Sequence, residues 1–501
     1  MLAARNANCG RLFIWNAGNI LLAVERYWTF ALACCLAITL VVGGVSVLSL
    51  TTLTALIAIG IVVFGISAAR IVNASFTGQA KWGLIIILFG IGLIFVQIIP
   101  LPSQIWTAFP GRKFVTESFG VTGISLGWSP LSLDVQSTIE DLIFVAPALA
   151  LFLAALTIKA NQRVYMVLTI LGVVLVSIIL GMAQKFQGST SPLYVYKFGS
   201  NGSATGFFAN RNFFGALLYT TMPFVVALAM NWIRSGSTHK IVGPIFAFIF
   251  IAIIIVGLGA TGSRMGIILA FFAILLSIPL IWTKHGQSIG SRGLVILMFV
   301  TIFLIAQFGL VAILRLASTD RVSEYRTTIY AVSYSTLWSV LPVGAGFGSF
   351  VPLYAMHETP SVVTTAFVNH AHNDWLELVI EGGLPMAILL VGYLGWYVSA
   401  TYNIWARGRD ISEDLLLKAA SISIGLLLSH SFFDYPLRTP ALMGLFALMN
   451  GFLACGPQPI TLKIQQRRSP TRVPVEPQRS APSGEFRSNF KNKKTTPEID
   501  K

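Results

Sequence analysis

The densest polar run in the chain is Asn369-His370-Ala371-His372-Asn373-Asp374, followed by Trp375, Glu377 and Glu381. Imidazole titrates near neutrality and carboxylates orient it, so the run offers a general base with its orienting shell. On a helix, His370, Asp374, Glu377 and Glu381 would share one face and His372 would point elsewhere. The same residue types bind metals, but their spacing matches no standard zinc pattern, and no metal or other cofactor is expected. A second run, Ser429-His430-Ser431-Phe432-Phe433-Asp434-Tyr435-Pro436-Leu437-Arg438, supplies another His, Asp and Arg. Its plainer reading is a proline-broken turn closed by an Asp/Arg ion pair.

Four arginines stand out besides: Arg211, Arg264, Arg321 and Arg326. Arg264 follows Thr261-Gly262-Ser263, where small residues permit close backbone approach and the next helix start favours an anion. The alternative is an arginine snorkelling to lipid headgroups. Arg326 and Tyr330 share a face in Tyr325–Trp338, which reads as an amphipathic helix along a membrane surface. In Gly206-Phe207-Phe208-Ala209-Asn210-Arg211-Asn212, Asn212 is the expected helix cap, which leaves Asn210 and Arg211 open to substrate contact.

The elements that must position these groups are apolar helices. Of the 501 residues, 55% are hydrophobic and 11% charged, with a mean hydropathy of +0.77. A soluble domain is excluded by that balance. Runs such as Thr29–Leu50, Trp82–Ile99 and Gly243–Ala260 approach the roughly 18–20 residues that span a bilayer as helix, without the alternation of a β-barrel strand. Spans are expected near 29–50, 52–69, 82–100, 141–158, 162–183, 213–232, 243–260, 265–283, 294–314, 384–405, 415–433 and 439–455, about twelve in all. The fold class is therefore all-α, a polytopic membrane protein. Cys34 and Cys35 fall inside the first span and Cys9 and Cys455 flank the first and last, so no disulfide framework is expected. Any signal function of the first span would be that of an uncleaved anchor.

The net charge of +15 sits in short loops and the tail, which argues topology and not nucleic-acid binding. A cytoplasmic N-terminus (1–28) places Arg70, Lys81, Lys159, Arg163, Arg234, Lys240, Lys284, Arg292, Arg407 and Arg409 inside. It also places inside the Pro-, Ser- and Arg-rich tail, 456–501, whose composition reads as disordered. Segments 101–140, 184–212, 315–383 and 430–438 then face the other side, and 315–383, between the ninth and tenth spans, is too long for a connector.

In this arrangement the chain resembles the O-antigen ligase and polysaccharide polymerase superfamily over roughly residues 80–455. Gly206–Asn212 resembles the family's Gly-x-Phe-x-Asn-x-Asn start of a span, and Thr261–Arg264 its Ser-x-Ser-Arg turn. Arg326 is similar in placement to the family's long-loop arginine, upstream of Gly344-Ala345-Gly346-Phe347-Gly348. His372-Asn373, with Glu381 and Gly383 downstream, resembles the family's His-Asn signature. The resemblance implies a GT-C-like glycosyltransferase in a bacterial inner membrane, with its site in the periplasmic 315–383 loop of a 29–455 membrane domain. It would move a glycan from an undecaprenyl-diphosphate donor to an acceptor hydroxyl on a lipid or glycan, with inversion and without metal. The catalytic set it implies is His372 as base with Arg264 and Arg326 on the diphosphate. Asn210, Arg211, Asn212, Arg321, His370, Asn373, His430 and Arg438 are the further substrate-binding candidates.

A ligase moving a finished glycan to lipid A-core and a Wzy-type polymerase joining repeat units share these motifs. A transporter or lipid flippase is the rival class, but it would show inverted repeats and polar residues at mid-membrane, whereas here charges gather at span ends. A structural scaffold would leave the His-Asn run without a role.

Overall fold

The computed structural model describes residues 23–46, 49–72, 76–235, 239–281, 295, 321–360, 363, 367–406 and 412–456. All of them fall in one unit, Met1–Gln458. Among the described residues the chain is helical, and its one β-bridge joins Leu101 to Ser129. Its helices are α1 (Ala23–Val42), α2 (Leu50–Ile71), α3 (Gly78–Ile98), α4 (Lys113–Thr122), α5 (Val135–Phe144), α6 (Ala146–Thr157) and α7 (Arg163–Gln187). They continue as α8 (Arg211–Ser235), α9 (His239–Thr261), α10 (Arg264–Ile281), α11 (Arg321–Val340), α12 (Phe350–His357), α13 (Asp374–Ala406), α14 (Ser412–His430) and α15 (Pro440–Cys455).

Nine helical stretches among the described residues are long and apolar enough to cross a membrane. In hydrocarbon every backbone polar group must be satisfied within the chain, which is why such runs fold as helices with capped ends. Ser49 accepts from the Thr52 amide at the start of α2, and Thr77 from the Ala80 amide at the start of α3. Two further apolar helices, α14 and α15, fall outside those nine, α14 with Glu413, Asp414 and Lys418 near its start and α15 with only 16 residues. The expected span at 294–314, Val295 apart, lies outside the described residues, as do the 1–22 and 457–501 segments.

Helix α8 is the axis of one half of the bundle. Every residue from Phe213 to Met230 is buried, and the helix packs against α9, α10 and α14. In the other half α6 packs on α2 and α15, and α3 on α13. The expected span 384–405 begins earlier than its apolar run, because α13 starts at Asp374 and breaks at Gly383, with φ 66° and ψ −157°. The Glu381–Gly383 backbone meets the Gly344 turn there, where a Cβ on Gly344 (φ +81°) would collide with the Glu381 carbonyl and the Gly383 nitrogen. Gln97 of α3 ties the junction, donating to the Glu381 carbonyl at 2.9 Å and accepting from the Phe347 amide at 3.2 Å. The long 315–383 segment is therefore built, where described, from α11, α12 and the first turns of α13. Ile329, Ser333, Thr336 and Val340 form the buried stripe of α11, while Tyr334 and Trp338 lie exposed.

Candidate functional site

The starts of α8, α10 and α13 and the end of α14 meet at one end of the bundle, around Asp434. This carboxylate is 1% exposed and accepts on both oxygens. Oδ1 faces His372 Nδ1 at 3.1 Å and the Tyr435 amide at 3.1 Å. Oδ2 accepts from Asn212 Nδ2 at 2.8 Å and Arg326 Nη2 at 3.3 Å. Burial pushes the Asp434 carboxyl up, yet the hydrogen bond and charge of His372 together with Arg326 outweigh it and hold it well below the usual carboxylate range.

A carboxylate against Nδ1 keeps the imidazole proton there and leaves Nε2 with its lone pair. His372 has φ +52°, the one positive φ outside glycine among the described residues. That conformation is costly for a non-glycine residue and persists because its surroundings over-determine it. The Tyr330 hydroxyl donates to the His372 carbonyl at 2.9 Å, and the Tyr435 ring stands edge-on to the imidazole at 4.9 Å.

The arginines lie beside this pair. Arg326 donates to the Phe433 carbonyl at 3.2 Å as well as to Asp434. Arg211 feels the charges of both Arg264 and Arg326, so the three guanidiniums share one neighbourhood. Arg211 and Arg264 are exposed, and no ion pair engages either among the described residues. Gly262 turns the chain at φ +63°, and Ser263 then accepts from the Gly266 amide at 3.1 Å to cap α10, which sets Arg264 on its first turn. The Ser263 hydroxyl also donates to Asn212 Oδ1 at 2.9 Å, completing a line from Ser263 through Asn212 to Asp434.

A second, acidic cluster adjoins the first across Tyr435, whose ring lies 4.4 Å from His370. Arg438 sits among Glu381 at 2.7 Å, Glu377 at 3.4 Å, Asp141 at 3.5 Å and Asp374 at 3.9 Å. Burial lowers the Arg438 proton affinity, but Glu381, Glu377, Asp141 and Asp374 more than restore it, so the guanidinium stays charged. Glu377 also faces His370 Nδ1 at 2.7 Å and accepts from the Ala371 amide at 2.7 Å. Among the described residues no group of three or more His, Cys, Asp and Glu is arranged to hold a metal ion.

Several site residues play parts that spacing alone does not show. Asn210, not Asn212, caps α8, accepting from the Asn212 amide at 2.8 Å, which frees the Asn212 side chain for Asp434. Asn373 caps α13 by accepting from the Leu376 amide at 3.0 Å. His370 precedes that helix instead of lying on it, yet still reaches Glu377. His430 is fully buried, with Nδ1 2.8 Å from the Tyr219 hydroxyl and Nε2 without a hydrogen-bond partner among the described residues. The Asp434–Arg438 pair expected in the turn does not form, since the partners of each come from elsewhere. The Arg321 side chain lies outside the described residues. Asp434 is the central group missing from the sequence-based set, and its one signal there was a carboxylate four residues after His430.

A bundle of membrane-length apolar helices with one polar, cationic end defines a multi-pass membrane protein. A family model described as O-antigen ligase matches residues 216–391, from within α8 through the first half of α13, and this match supports the resemblance to the O-antigen ligase superfamily. The match supports a glycosyl-transferring function of the ligase or polymerase type. The matched stretch includes Arg264, Arg326, His370 and His372, whereas Asn212 and Asp434 lie on either side of it. No curated protein matches the chain.

Proposed function

We propose that the chain transfers a glycan from an undecaprenyl-diphosphate carrier to an acceptor hydroxyl at the non-cytoplasmic face of a bacterial inner membrane, as an O-antigen ligase does. The observation that carries this reading is His372 held by Asp434 beside three clustered arginines. His372 Nε2 takes the proton of the acceptor hydroxyl as its oxygen attacks the anomeric carbon from the face opposite the diphosphate. The carbon–oxygen bond to the carrier breaks, and undecaprenyl diphosphate leaves with the electron pair. Its charge is already present at neutral pH, so Arg211, Arg264 and Arg326 stabilise it as bidentate donors without a general acid. The reaction inverts the anomeric centre.

The test is reconstitution of the full chain in proteoliposomes with an undecaprenyl-diphosphate-linked glycan and a hydroxyl-bearing glycolipid acceptor. One undecaprenyl diphosphate is expected per glycan transferred, with no loss of rate in EDTA, because guanidiniums take the role that Mg²⁺ has for nucleotide-sugar donors. A single transferred glycan marks a ligase, and a ladder of products marks a Wzy-type polymerase. No carrier release overturns the reading, and a rate lost in EDTA and restored by Mg²⁺ overturns its metal-free chemistry.

A further inference from the structure

Beside the acidic cluster lies a cavity of about 430 Å³ between α3, α5–α6, α13 and α15, within the roughly 300–1,000 Å³ typical of small-molecule sites. Its walls are apolar, with Ile87, Ile91, Leu149, Met443 and Phe446 among them. Polar groups gather at one end, where Asp141, His370, Asp374 and Arg438 line it. From Met443 to Asn450, both at its wall, α15 rises about 10 Å, with Arg438 in the turn before it, so the cavity is a shaft along the helix axes. An outer groove between α3 and α13, lined by Trp82, Phe89 and Ile388, shares Ile86 and Trp396 with it. The shaft thus adjoins a face suited to lipid.

The polar end is acidic, since four carboxylates surround one guanidinium. Asp374 is 3% exposed and its Oδ1 has no hydrogen-bond partner among the described residues, although the other oxygen accepts from Ser431 at 2.7 Å and Leu437 at 3.3 Å. A buried acceptor left open at the head of an apolar shaft calls for a donor from a ligand. An anionic head would find there only carboxyls and one guanidinium already engaged by them, while a neutral head rich in hydroxyls would be bound.

Resting on the reading above, we propose that this shaft holds the hydrocarbon chain of the acceptor glycolipid, with sugar hydroxyls against Asp374 and Asp141. Donor and acceptor then occupy separate sites, the arginine cluster and the carboxyl-lined shaft head, divided by the Tyr435 ring that touches both His370 and His372. The hydroxyl to be activated emerges beside the base.

The test uses the full chain in nanodiscs with two photoreactive probes, dodecyl β-D-glucoside and dodecyl phosphate, each carrying a diazirine at mid-chain. The glucoside is expected to label α3 and α15 peptides around Ile87 and Phe446, at least fivefold above the phosphate. Gly90→Leu and Ala447→Phe, which fill the shaft from two helices, should lower that labelling at least fivefold and raise the KM for acceptor lipid while donor binding stays unchanged. Asp374→Asn should lower glucoside labelling alone. Equal labelling by both probes, or labelling confined to Trp82 and Phe89 on the outer face, overturns the proposal. Failure here leaves carrier release intact, whereas failure of the transfer reading abolishes carrier release and leaves the labelling pattern standing.

Discussion

Replacing Asp434 by asparagine changes one atom of the site and sets two donors against each other. Oδ1 serves His372 and the Tyr435 amide, and Oδ2 serves Asn212 and Arg326. Whichever way the amide is turned, its NH2 faces two donors that had an acceptor. If it faces His372, the imidazole loses the partner that fixes its tautomer. If it faces Arg326 and Asn212, the guanidinium comes free and the line to Ser263 is cut. Two charge-assisted bonds at about 1.5 kcal/mol each remove about 3 kcal/mol, or roughly a hundredfold in rate. The wrong tautomer extends the loss towards the roughly 10⁴-fold limit of general-base catalysis. Transfer from labelled donor in proteoliposomes, at matched protein levels, should therefore fall between these limits. A rate within threefold of wild type would refute the role given to Asp434. The pH dependence of stability supplies a second readout. The folded carboxyl lies below its ordinary value of 3.8, so its contribution is complete above about pH 4 and is lost as pH falls further. The Asp434→Asn chain should lack that part of the acid-side loss in thermal unfolding.

Arg264→Ala and Arg326→Ala should each weaken donor binding by about 10- to 150-fold, equivalent to about 1.5–3 kcal/mol, and lysine should restore only part because it offers no planar fork. Full restoration by lysine in a donor-lipid binding assay would remove the bidentate contact. Gly344→Ala should lower the thermal midpoint by several degrees or prevent folding, since it strains a φ of +81° and meets the Glu381–Gly383 backbone. Gly392→Ala, with open space around it, should not, and equal midpoints for the two would refute the close approach. In a cysteine-free background, Ser125→Cys should react with a membrane-impermeant thiol reagent in intact cells and Ser483→Cys should not. The reverse pattern overturns the orientation.

The helices were legible wherever apolar length decided them, because hydrocarbon leaves the backbone no alternative. Where polar residues extended a helix the apolar run fell short, as in α13, which begins at Asp374 because Asn373 caps it there. The types of the site residues were also legible, since His372 and the arginines are expensive near a bilayer. Their pairing was not. Asp434 is 62 residues from His372 and 222 from Asn212, and nothing in local spacing says which of the buried carboxylates the imidazole will find. Arg438 shows the same limit, with partners as distant as Asp141.

Transfer and donor binding measured side by side for His372→Ala test the central claim most directly. In the proposed mechanism His372 Nε2 touches the acceptor hydroxyl and not the diphosphate. Transfer should therefore fall by at least about 10²-fold while the Kd for the undecaprenyl-diphosphate donor stays within twofold. Wild-type transfer by the His372→Ala chain would contradict the base, and a donor Kd weakened as much as the rate would place His372 on the diphosphate instead.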